Sequence, residues 1–277
     1  MIKWTAPPQR PFLKDPLPLA ALGWLFLAGM AALLAPYLAP AGPLAGSSTR
    51  SLLPPGSTAW LGTDLLGRDV FSRLVWGARW SLGMAAGGLA VSVGLGLPVG
   101  LLAGAFGGRL DAVLMRLVDT LLAFPGLLLA MAVVSLLGPG IGPVAVAVGI
   151  AAAPGYARVV RTAAADVRTR LYVEAAFAVG CKRRRVLRRY ILPNALSPVI
   201  AFAATQLGWI LLNGAALNFL GLGVAPGTPE WGAMLVDGRA YLRGAPWVST
   251  FPGLALTLTV LAATLLGDRL QRSLQRG

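Results

Sequence analysis

Charged side chains with a regular spacing are concentrated in one stretch, Tyr172 to Pro198, which is called the basic loop below. It opens with Glu174-Ala175-Ala176, passes through Gly180 into a run of lysine and arginine, and closes with Leu192-Pro193. Glutamate and alanine form helices well, glycine permits the conformation that ends a helix, and Pro193 is expected to stop a second short helix. The pattern predicts a helix-turn-helix that offers a docking surface to the aqueous phase. A merely solvated basic loop is the alternative.

Residue types that covalent catalysis needs are scarce. The chain has no histidine, which excludes Ser–His and Cys–His nucleophilic pairs and any histidine-ligated metal. Its single cysteine, Cys181, cannot form an internal disulfide. The lysines are Lys3, Lys14 and Lys182, and none of them completes a G-x-x-x-x-G-K-[ST] phosphate loop. We therefore expect no catalytic residues, no metal and no cofactor on this chain, and any ATP hydrolysis must occur on a partner.

The elements that position these residues are apolar spans. The chain is 56% hydrophobic and 12% charged, whereas a soluble domain carries about 25% charged residues. Several apolar runs reach the length of about 20 residues that a membrane-spanning helix requires. We therefore predict an all-α polytopic membrane protein with six transmembrane helices. The predicted spans are Leu17–Leu38, Ser81–Phe106, Leu117–Leu137, Ile141–Val160, Ala195–Leu220 and Thr250–Leu266.

Prolines and glycines predict turns and kinks in these spans. Gly138-Pro139-Gly140 predicts a tight turn between the third and fourth spans, and Pro98, Pro125 and Pro154 predict kinks. Ala39-Pro40-Ala41 after the first span is similar to a signal-peptide cleavage site. The preceding apolar run is longer than the about 7–15 residues of a signal core, so a retained membrane anchor is favoured.

The basic residues indicate an orientation. With the N-terminus inside, all but six of the 24 lysines and arginines fall on the inner side. The six on the outer side are Arg50, Arg68, Arg73, Arg79, Arg239 and Arg243. Cytoplasmic loops carry the excess of positive charge, so both termini are predicted to be cytoplasmic. The same partition explains the net charge of +14 without a nucleic-acid partner.

Two sets of residues inside the spans have alternative interpretations. Gln206, Asn213 and Asn218 lie in the fifth span, where amides are costly unless they face a partner helix or a wet cavity. They are candidates either for interhelical hydrogen bonds or for a polar translocation path. Small residues recur every fourth position in the second span and favour close helix packing over a substrate path. These are Gly83, Gly87, Gly96, Gly100 and Gly104.

The first outer loop ends in a glycine-rich string, Gly62-Thr63-Asp64-Leu-Leu-Gly67-Arg68-Asp69. Its glycines suit turns, and its aspartates and threonine suit local caps. The stretch from Val70 to Trp80 is amphipathic and carries tryptophans typical of a membrane interface. It predicts an interfacial helix that leads into the second span.

The spacing of Glu174-Ala175-Ala176, Gly180 and Leu192-Pro193 resembles the EAA loop of binding-protein-dependent ABC importer permeases. In that family this loop is where the membrane subunit meets its ATPase. Two features depart from the family pattern. Tyr190 stands where isoleucine is usual, and the run from Lys182 to Arg189 is unusually basic.

Further strings resemble the C-type permease subunits of dipeptide and oligopeptide importers, and in order they extend the resemblance from about Leu17 to Asp268. They are Gly62-Thr63-Asp64-x-x-Gly67-Arg68-Asp69, Leu121-Leu-Ala-Phe124-Pro125, Phe219-Leu-Gly221-Leu-Gly223, Pro229-x-Trp231-Gly232-x-Met234 and Ala245-Pro246-Trp247.

This resemblance implies a type I ABC importer permease fold with a cytoplasmic EAA coupling loop, in the inner membrane of a bacterium or archaeon. Residues 1–60 would hold the cytoplasmic tail, the first span and the start of an outer loop, and residues 61–277 the permease core with five spans. The implied partners are a homologous second permease, two cytoplasmic ATPases that bind ATP and magnesium, an extracytoplasmic solute-binding protein and membrane lipid. Asp237 and Arg239 in the last outer loop are candidates for contacts with the binding protein or for a gate.

The expected function is ATP-driven import of dipeptides or oligopeptides, with this subunit forming half of the pathway. A permease for nickel or another small solute is an alternative. An ion-gradient-driven secondary transporter is another, although such proteins commonly show paired repeats and ionisable residues at the midplane. Here the acidic residues map to loops or span ends, and no repeat is evident. An intramembrane enzyme is disfavoured by the missing histidine.

Overall fold

The computed structural model describes residues 16–39 and 42–274, and this part of the chain is helical almost throughout, with two isolated β-bridges. Predictions that concern Lys3, Lys14 and the Pro40-Ala41 pair lie outside the described residues. The helices are α1 (Pro16–Leu33), α2 (Ala35–Leu38), α3 (Val70–Phe106), α4 (Gly108–Leu122), α5 (Gly126–Leu137), α6 (Ile141–Arg168), α7 (Leu171–Ala178), α8 (Arg183–Val186), α9 (Leu192–Phe219), α10 (Trp231–Gly238) and α11 (Trp247–Leu274).

Five helices of the described part are long and apolar enough to cross a bilayer. They are α1, α3, α6, the continuous helix Arg183–Phe219, and α11. Together, α4 and α5 meet the same criterion but are bent by 88°. With this pair taken as one broken span, the described chain holds the six predicted spans.

The predicted third span, Leu117–Leu137, is therefore not one straight helix. The break falls at residues 123–125, where Pro125 takes the extended values φ −55° and ψ 127°. Proline has no backbone N–H and disfavours helical geometry in the residue before it. The sequence marked Pro125 as a kink, but the chain turns through nearly a right angle there.

Two other predicted boundaries are wrong. The stretch from Val70 to Trp80 is not a separate interfacial helix but the first part of α3, which runs without a break to Phe106. Asp69 caps its start by accepting a hydrogen bond from the Ser72 N–H at 2.7 Å. The predicted first span is divided at Leu34, just before Pro36, into α1 and α2.

Pro193 does not stop a helix, contrary to the prediction. Between α8 and α9 the chain makes a π-helical turn, Leu187–Ile191, and the Leu192 N–H donates to the carbonyl of Leu187. Proline in an ordinary helix lacks one hydrogen bond and its ring crowds the carbonyl four residues earlier. The wider turn lies directly before Pro193, and the helix continues into the fifth span.

Close contact between α3 and α6 is the most extensive packing in the bundle. A Cβ atom at Gly96, Gly100 or Gly104 would lie 2.8, 2.3 or 2.4 Å from a carbonyl oxygen of α6. Only glycine allows this approach, so these three positions confirm the predicted helix packing. The pattern does not extend to Gly83, where a Cβ would meet nothing within 4 Å, and at Gly87 the contact is an ordinary one of 3.5 Å.

We predict that Gly100→Val lowers the stability of the chain, because the new side chain must force α3 away from α6. Overpacking of this kind costs about 1–3 kcal/mol. The measurement is the midpoint of thermal unfolding of the purified chain in detergent.

Gly94→Val is the matched control, because Gly94 lies on the same helix and a Cβ there meets nothing within 4 Å. Equal midpoints for the two variants would contradict the assignment of Gly100 to a tight contact.

Candidate coupling site

The first helix of the basic loop ends in a turn that favours glycine. Gly180 has φ +82°. The Cys181 N–H donates to the Ala176 carbonyl at 3.0 Å, and the Gly180 N–H donates to the Phe177 carbonyl at 2.9 Å. These are the two hydrogen bonds of a Schellman motif, which ends a helix on a left-handed residue. A Cβ at Gly180 would meet nothing within 4 Å, so the backbone conformation and not crowding selects glycine.

Buried apolar side chains fasten the basic loop to the ends of the spans. Those of the loop are Val173, Ala176, Val186 and Ile191. They share one apolar cluster with Leu101 of α3, with Tyr156, Val160, Ala164 and Val167 of α6, and with Ala195 and Val199 of α9. Because protein interiors are closely packed, a displacement of the loop must be passed on to these helices.

The other face of the loop is exposed. Glu174, Ala175 and Gly180 all lie on the surface, and Val179 is 79% exposed. The lysine and arginine side chains from Lys182 to Arg185 are exposed beside them. This face combines apolar, acidic and basic groups on a firmly held support, which suits a protein partner.

Glu174 lies in the first turn of α7, where a carboxylate interacts favourably with the helix dipole. The nearby Arg170 is already paired with Asp166 at 2.8 Å, and this hydrogen bond raises the pKa of the Arg170 guanidinium. In the described part of the chain no salt bridge engages Glu174. Its carboxylate remains available to a partner.

Leu192 and Pro193 lie in the continuous helix, not in the turn of the loop. Leu192 is half-buried and packs against the cluster that holds the loop, whereas Pro193 is exposed. The six residues of the predicted coupling motif therefore form one continuous structural unit, from α7 to the first turn of α9.

The three amides of α9 do not share one environment. Gln206 is buried and donates from Nε2 to the Ala152 carbonyl of α6 at 3.0 Å, which is an interhelical hydrogen bond. Asn213 is half-buried and donates to the Trp209 carbonyl within its own helix. Asn218 is buried at the far end of α9 and accepts from the Val224 N–H at 3.0 Å. A role for any of them in a translocation path remains a prediction.

A fully buried carboxylate, which the sequence did not single out, organises the side opposite the basic loop. Glu230 is 0% exposed and caps α10 by accepting from the Ala233 N–H at 2.9 Å. It also accepts from the Ser81 hydroxyl of α3 and from Nδ2 of Asn218, both at 2.7 Å. Each oxygen therefore has a partner, as burial of a charge requires. Its place directly before Trp231, at the start of a helix, was the signal available.

A second buried network joins the loop before α3 to α10. The carboxylate of Asp64 accepts from Arg68 Nε at 2.7 Å and from Arg73 Nη1 at 3.0 Å. Asp237 lies 3.0 Å from Arg73 Nη2 and 3.5 Å from Arg68 Nη2. Two acids and two arginines thus neutralise one another, and the Arg73 side chain is only 1% exposed.

The candidate gate residues Asp237 and Arg239 therefore differ in their ion pairing and in their exposure to solvent. Asp237 belongs to the charge network, although 30% of its side chain is exposed. Arg239 is exposed and lies 5.7 Å from the ring centroid of Phe219. A contact of either residue with an external protein remains a prediction.

Within residues 16–39 and 42–274, no group of three or more histidine, cysteine or acidic residues is placed to hold a metal.

Comparison with known proteins gives the family. A model of the family "binding-protein-dependent transport system inner membrane component" matches residues 96–277, which include the whole basic loop. The chain belongs to this family. It is a binding-protein-dependent permease, and the family is one of transport components.

Relatives cover most of this permease. It is 46% identical over 222 residues to a glutathione transport system permease protein of Pectobacterium atrosepticum, covering 79% of this chain and 73% of that protein. It is 42% identical over 262 residues to a di/tripeptide transport system permease protein of Pseudomonas aeruginosa, covering 92% and 86%. A dipeptide transport system permease protein of Alkalihalophilus pseudofirmus is 38% identical over 258 residues, covering 92% and 85%.

Solved structures show the fold. The permease aligns with a chain of the MetNI methionine ABC transporter in inward-facing conformations, with a TM-score of 0.62 and 24% identity, over 74% of this chain and 97% of that one. A chain of an amino acid ABC transporter aligns with a TM-score of 0.57 and 13% identity, over 73% and 94%. The predicted type I importer permease fold is confirmed.

We predict that Gly180→Val lowers transport and binding-protein-stimulated ATP hydrolysis together in the assembled complex. A branched residue at a positive φ costs about 1–3 kcal/mol, so the turn must change or the helix must shorten. Glu174→Ala should reduce the same activities, because it removes an exposed carboxylate from the docking face. The measurement is ATPase activity with and without loaded binding protein.

Gly221→Val is the matched control. Gly221 has φ +78°, open space around it and the same two Schellman hydrogen bonds, from the Gly221 N–H to the Asn218 carbonyl at 3.0 Å and from the Leu222 N–H to the Leu217 carbonyl at 3.1 Å. It lies at the far end of α9, away from the basic loop, so Gly221→Val should suffer a similar backbone strain and keep its stimulated activity. Normal stimulation in both Gly180→Val and Glu174→Ala would remove the basic loop from the coupling path.

Proposed function

We propose that this permease is a C-type subunit of an ATP-driven importer of short peptides and that the basic loop is its contact with the ATPase. The observation that carries the proposal is the two-faced construction of the loop. One face is buried among the ends of α3, α6 and α9, and the other is exposed and chemically mixed. An ATPase that moved the exposed face would move those helices with it.

Short peptides are favoured as the solute by the names of the relatives. These names refer to dipeptides, to di- and tripeptides, and to glutathione, which is itself a tripeptide. These three solutes share a peptide backbone with free charged ends. This common chemistry favours peptides over nickel or another small solute.

The proposed assembly contains a second, homologous permease, two cytoplasmic ATPases and an extracytoplasmic solute-binding protein. ATP and magnesium would bind to the ATPases, and this subunit would catalyse no covalent step. Closure of the ATPase pair would displace the basic loop, and the spans would then open outward and receive the solute. Hydrolysis would restore the inward-open state.

The proposed location is the inner membrane of a bacterium or archaeon, with both termini and the basic loop in the cytoplasm. The positive-inside distribution of arginine supports this orientation. In the same proposal residues 1–60 provide the tail and first anchoring span, and residues 61–277 form the permease core. The start of the matched family region at residue 96 supports a core in the C-terminal part.

A secondary transporter driven by an ion gradient fits less well. Such a mechanism needs an ionisable group that can change its protonation or bind an ion within the membrane. The buried carboxylates of the described residues are Asp64 and Glu230. Both lie at the side opposite the basic loop, and both are fully engaged by arginines or hydrogen-bond donors.

Reconstitution in proteoliposomes tests the proposal. The full complex, with this permease, its second permease, the ATPases and the binding protein, should accumulate a labelled dipeptide or tripeptide only when ATP is present. Accumulation driven by an ion gradient without ATP, or failure of any ATPase to purify with the chain, would contradict the proposed function.

Thiol labelling tests the orientation. Cys181 is the single cysteine and lies half-buried in the basic loop. A membrane-impermeant maleimide added to intact cells should leave it unlabelled, and labelling should follow once the inner membrane is opened. The control is Leu136→Cys in a Cys181→Ser background, because Leu136 is 88% exposed at the other side of the bundle. Labelling of Cys181 in sealed cells would contradict the proposed orientation, with the basic loop in the cytoplasm.

A further inference from the structure

A cavity of about 240 Å³ lies between the basic loop and the ends of the spans. Its apolar wall is formed by Ala105 and Phe106 of α3, Phe177 of α7, and Leu187 and Ile191 of the π turn. Arg168 at the end of α6 and Arg183 at the start of α8 complete the lining. No carboxylate takes part in this lining.

Glycine at the α3–α4 junction leaves room for one of the guanidiniums. Gly107 has φ +65°, and a Cβ there would lie 2.1 Å from Nη1 of Arg168. Any other residue at this position would displace the guanidinium. The local backbone therefore leaves room for the Arg168 side chain beside the cavity that it lines.

The charges of the two arginines are not cancelled by direct partners. Asp111, a carboxylate near Arg168, is bound bidentately by Arg161, with Nε at 3.0 Å and Nη2 at 2.6 Å. In residues 16–39 and 42–274 no salt bridge joins Arg168 or Arg183 to an acid. A pair of such guanidiniums attracts a phosphate, for which arginine is the preferred ligand.

The cavity also lies where the apolar sequence of α3 ends. The apolar sequence of α3 ends at Phe106, and the glycine pair that follows leads to Arg109 and Asp111. A change from apolar to charged residues is the one expected where a span leaves the hydrocarbon. Basic pockets between transmembrane helices at that level are suited to anionic headgroups.

We propose that this cavity binds one anionic phospholipid, with the phosphate between Arg168 and Arg183 and the start of the acyl region against the apolar wall. The volume is below the about 300–1,000 Å³ of pockets for drug-sized ligands, which disfavours a nucleotide or peptide. The bound phosphate would bridge the end of α6 to the basic loop. The proposal concerns a lipid site and does not rest on the transport function.

Native mass spectrometry of the full chain in detergent tests the site, with phosphatidylglycerol and phosphatidylcholine as probes. Phosphatidylglycerol should bind more tightly, because phosphatidylcholine carries a cancelling ammonium group. Each arginine near a membrane surface contributes about a fivefold gain, so Arg168→Gln with Arg183→Gln should weaken phosphatidylglycerol binding about 30-fold.

The matched control is Arg184→Gln with Arg188→Gln. It removes the same charge from exposed positions of the same loop that do not line the cavity, and binding should stay within about twofold. A second variant, Ala105→Phe, fills the cavity without changing charge and should also abolish the preference for phosphatidylglycerol. Thermal unfolding of each variant separates loss of the site from loss of the fold.

Three outcomes would overturn the proposal. Equal binding of the two lipids would show that the site does not select an anionic headgroup. Equal losses in the two arginine pairs would show a diffuse attraction to the basic loop. Displacement of phosphatidylglycerol by millimolar inorganic phosphate, without any effect of Ala105→Phe, would show a free-phosphate site in place of a lipid site.

Discussion

The close backbone contact between α3 and α6 is the constraint on which the other features depend. Gly100 and Gly104 let the two helices touch at the side of the basic loop, and Gly88 faces Gly149 nearer the other side, where a Cβ on Gly149 would lie 2.5 Å from the Gly88 carbonyl. Helices packed this closely along their length resist separation, because each backbone fills the space beside the other. The apolar cluster that holds the basic loop is built on their ends, so the loop has a firm base.

The two sides of the bundle are held by different forces. At the side opposite the basic loop, Asp64, Arg68, Arg73 and Asp237 are largely withdrawn from water and depend on one another. Removal of one partner from a buried ion pair costs about 3–5 kcal/mol, because the remaining charge is then buried without a counter-ion. At the basic-loop side the contacts are non-directional apolar ones. Such contacts resist separation of the loop from the spans but do not fix the partner that covers its outer face.

Local residue chemistry predicted part of this structure well. Helix formers followed by Gly180 predicted the turn at the end of α7. Glycines at every fourth position predicted the close contact of α3 with another helix. Both features are determined by backbone sterics. The consequences of proline were harder to predict. Pro125 lies at an 88° bend between α4 and α5, whereas a π-helical turn precedes Pro193 and the helix continues.

Buried charge was the part of the site that sequence did not predict. Arg73 was placed at a membrane interface because the pattern around it is amphipathic. Its actual partners, Asp64 and Asp237, are nine and 164 residues away in sequence, and only the fold brings them together. Glu230 was missed for a similar reason, since one of its partners, Ser81, lies 149 residues away. Residues of a continuous segment could thus be predicted, whereas those assembled from distant segments could not.

The central claim is that the exposed face of the basic loop contacts an ATPase, and cross-linking from that face tests it most directly. Val179→Cys in a Cys181→Ser background places one thiol on the highly exposed residue beside Gly180. A maleimide–benzophenone reagent at this thiol should, in the assembled complex, capture an ATPase subunit on illumination, and mass spectrometry would identify the peptide. Capture of lipid or of the external binding protein alone, with no ATPase peptide, would contradict the account.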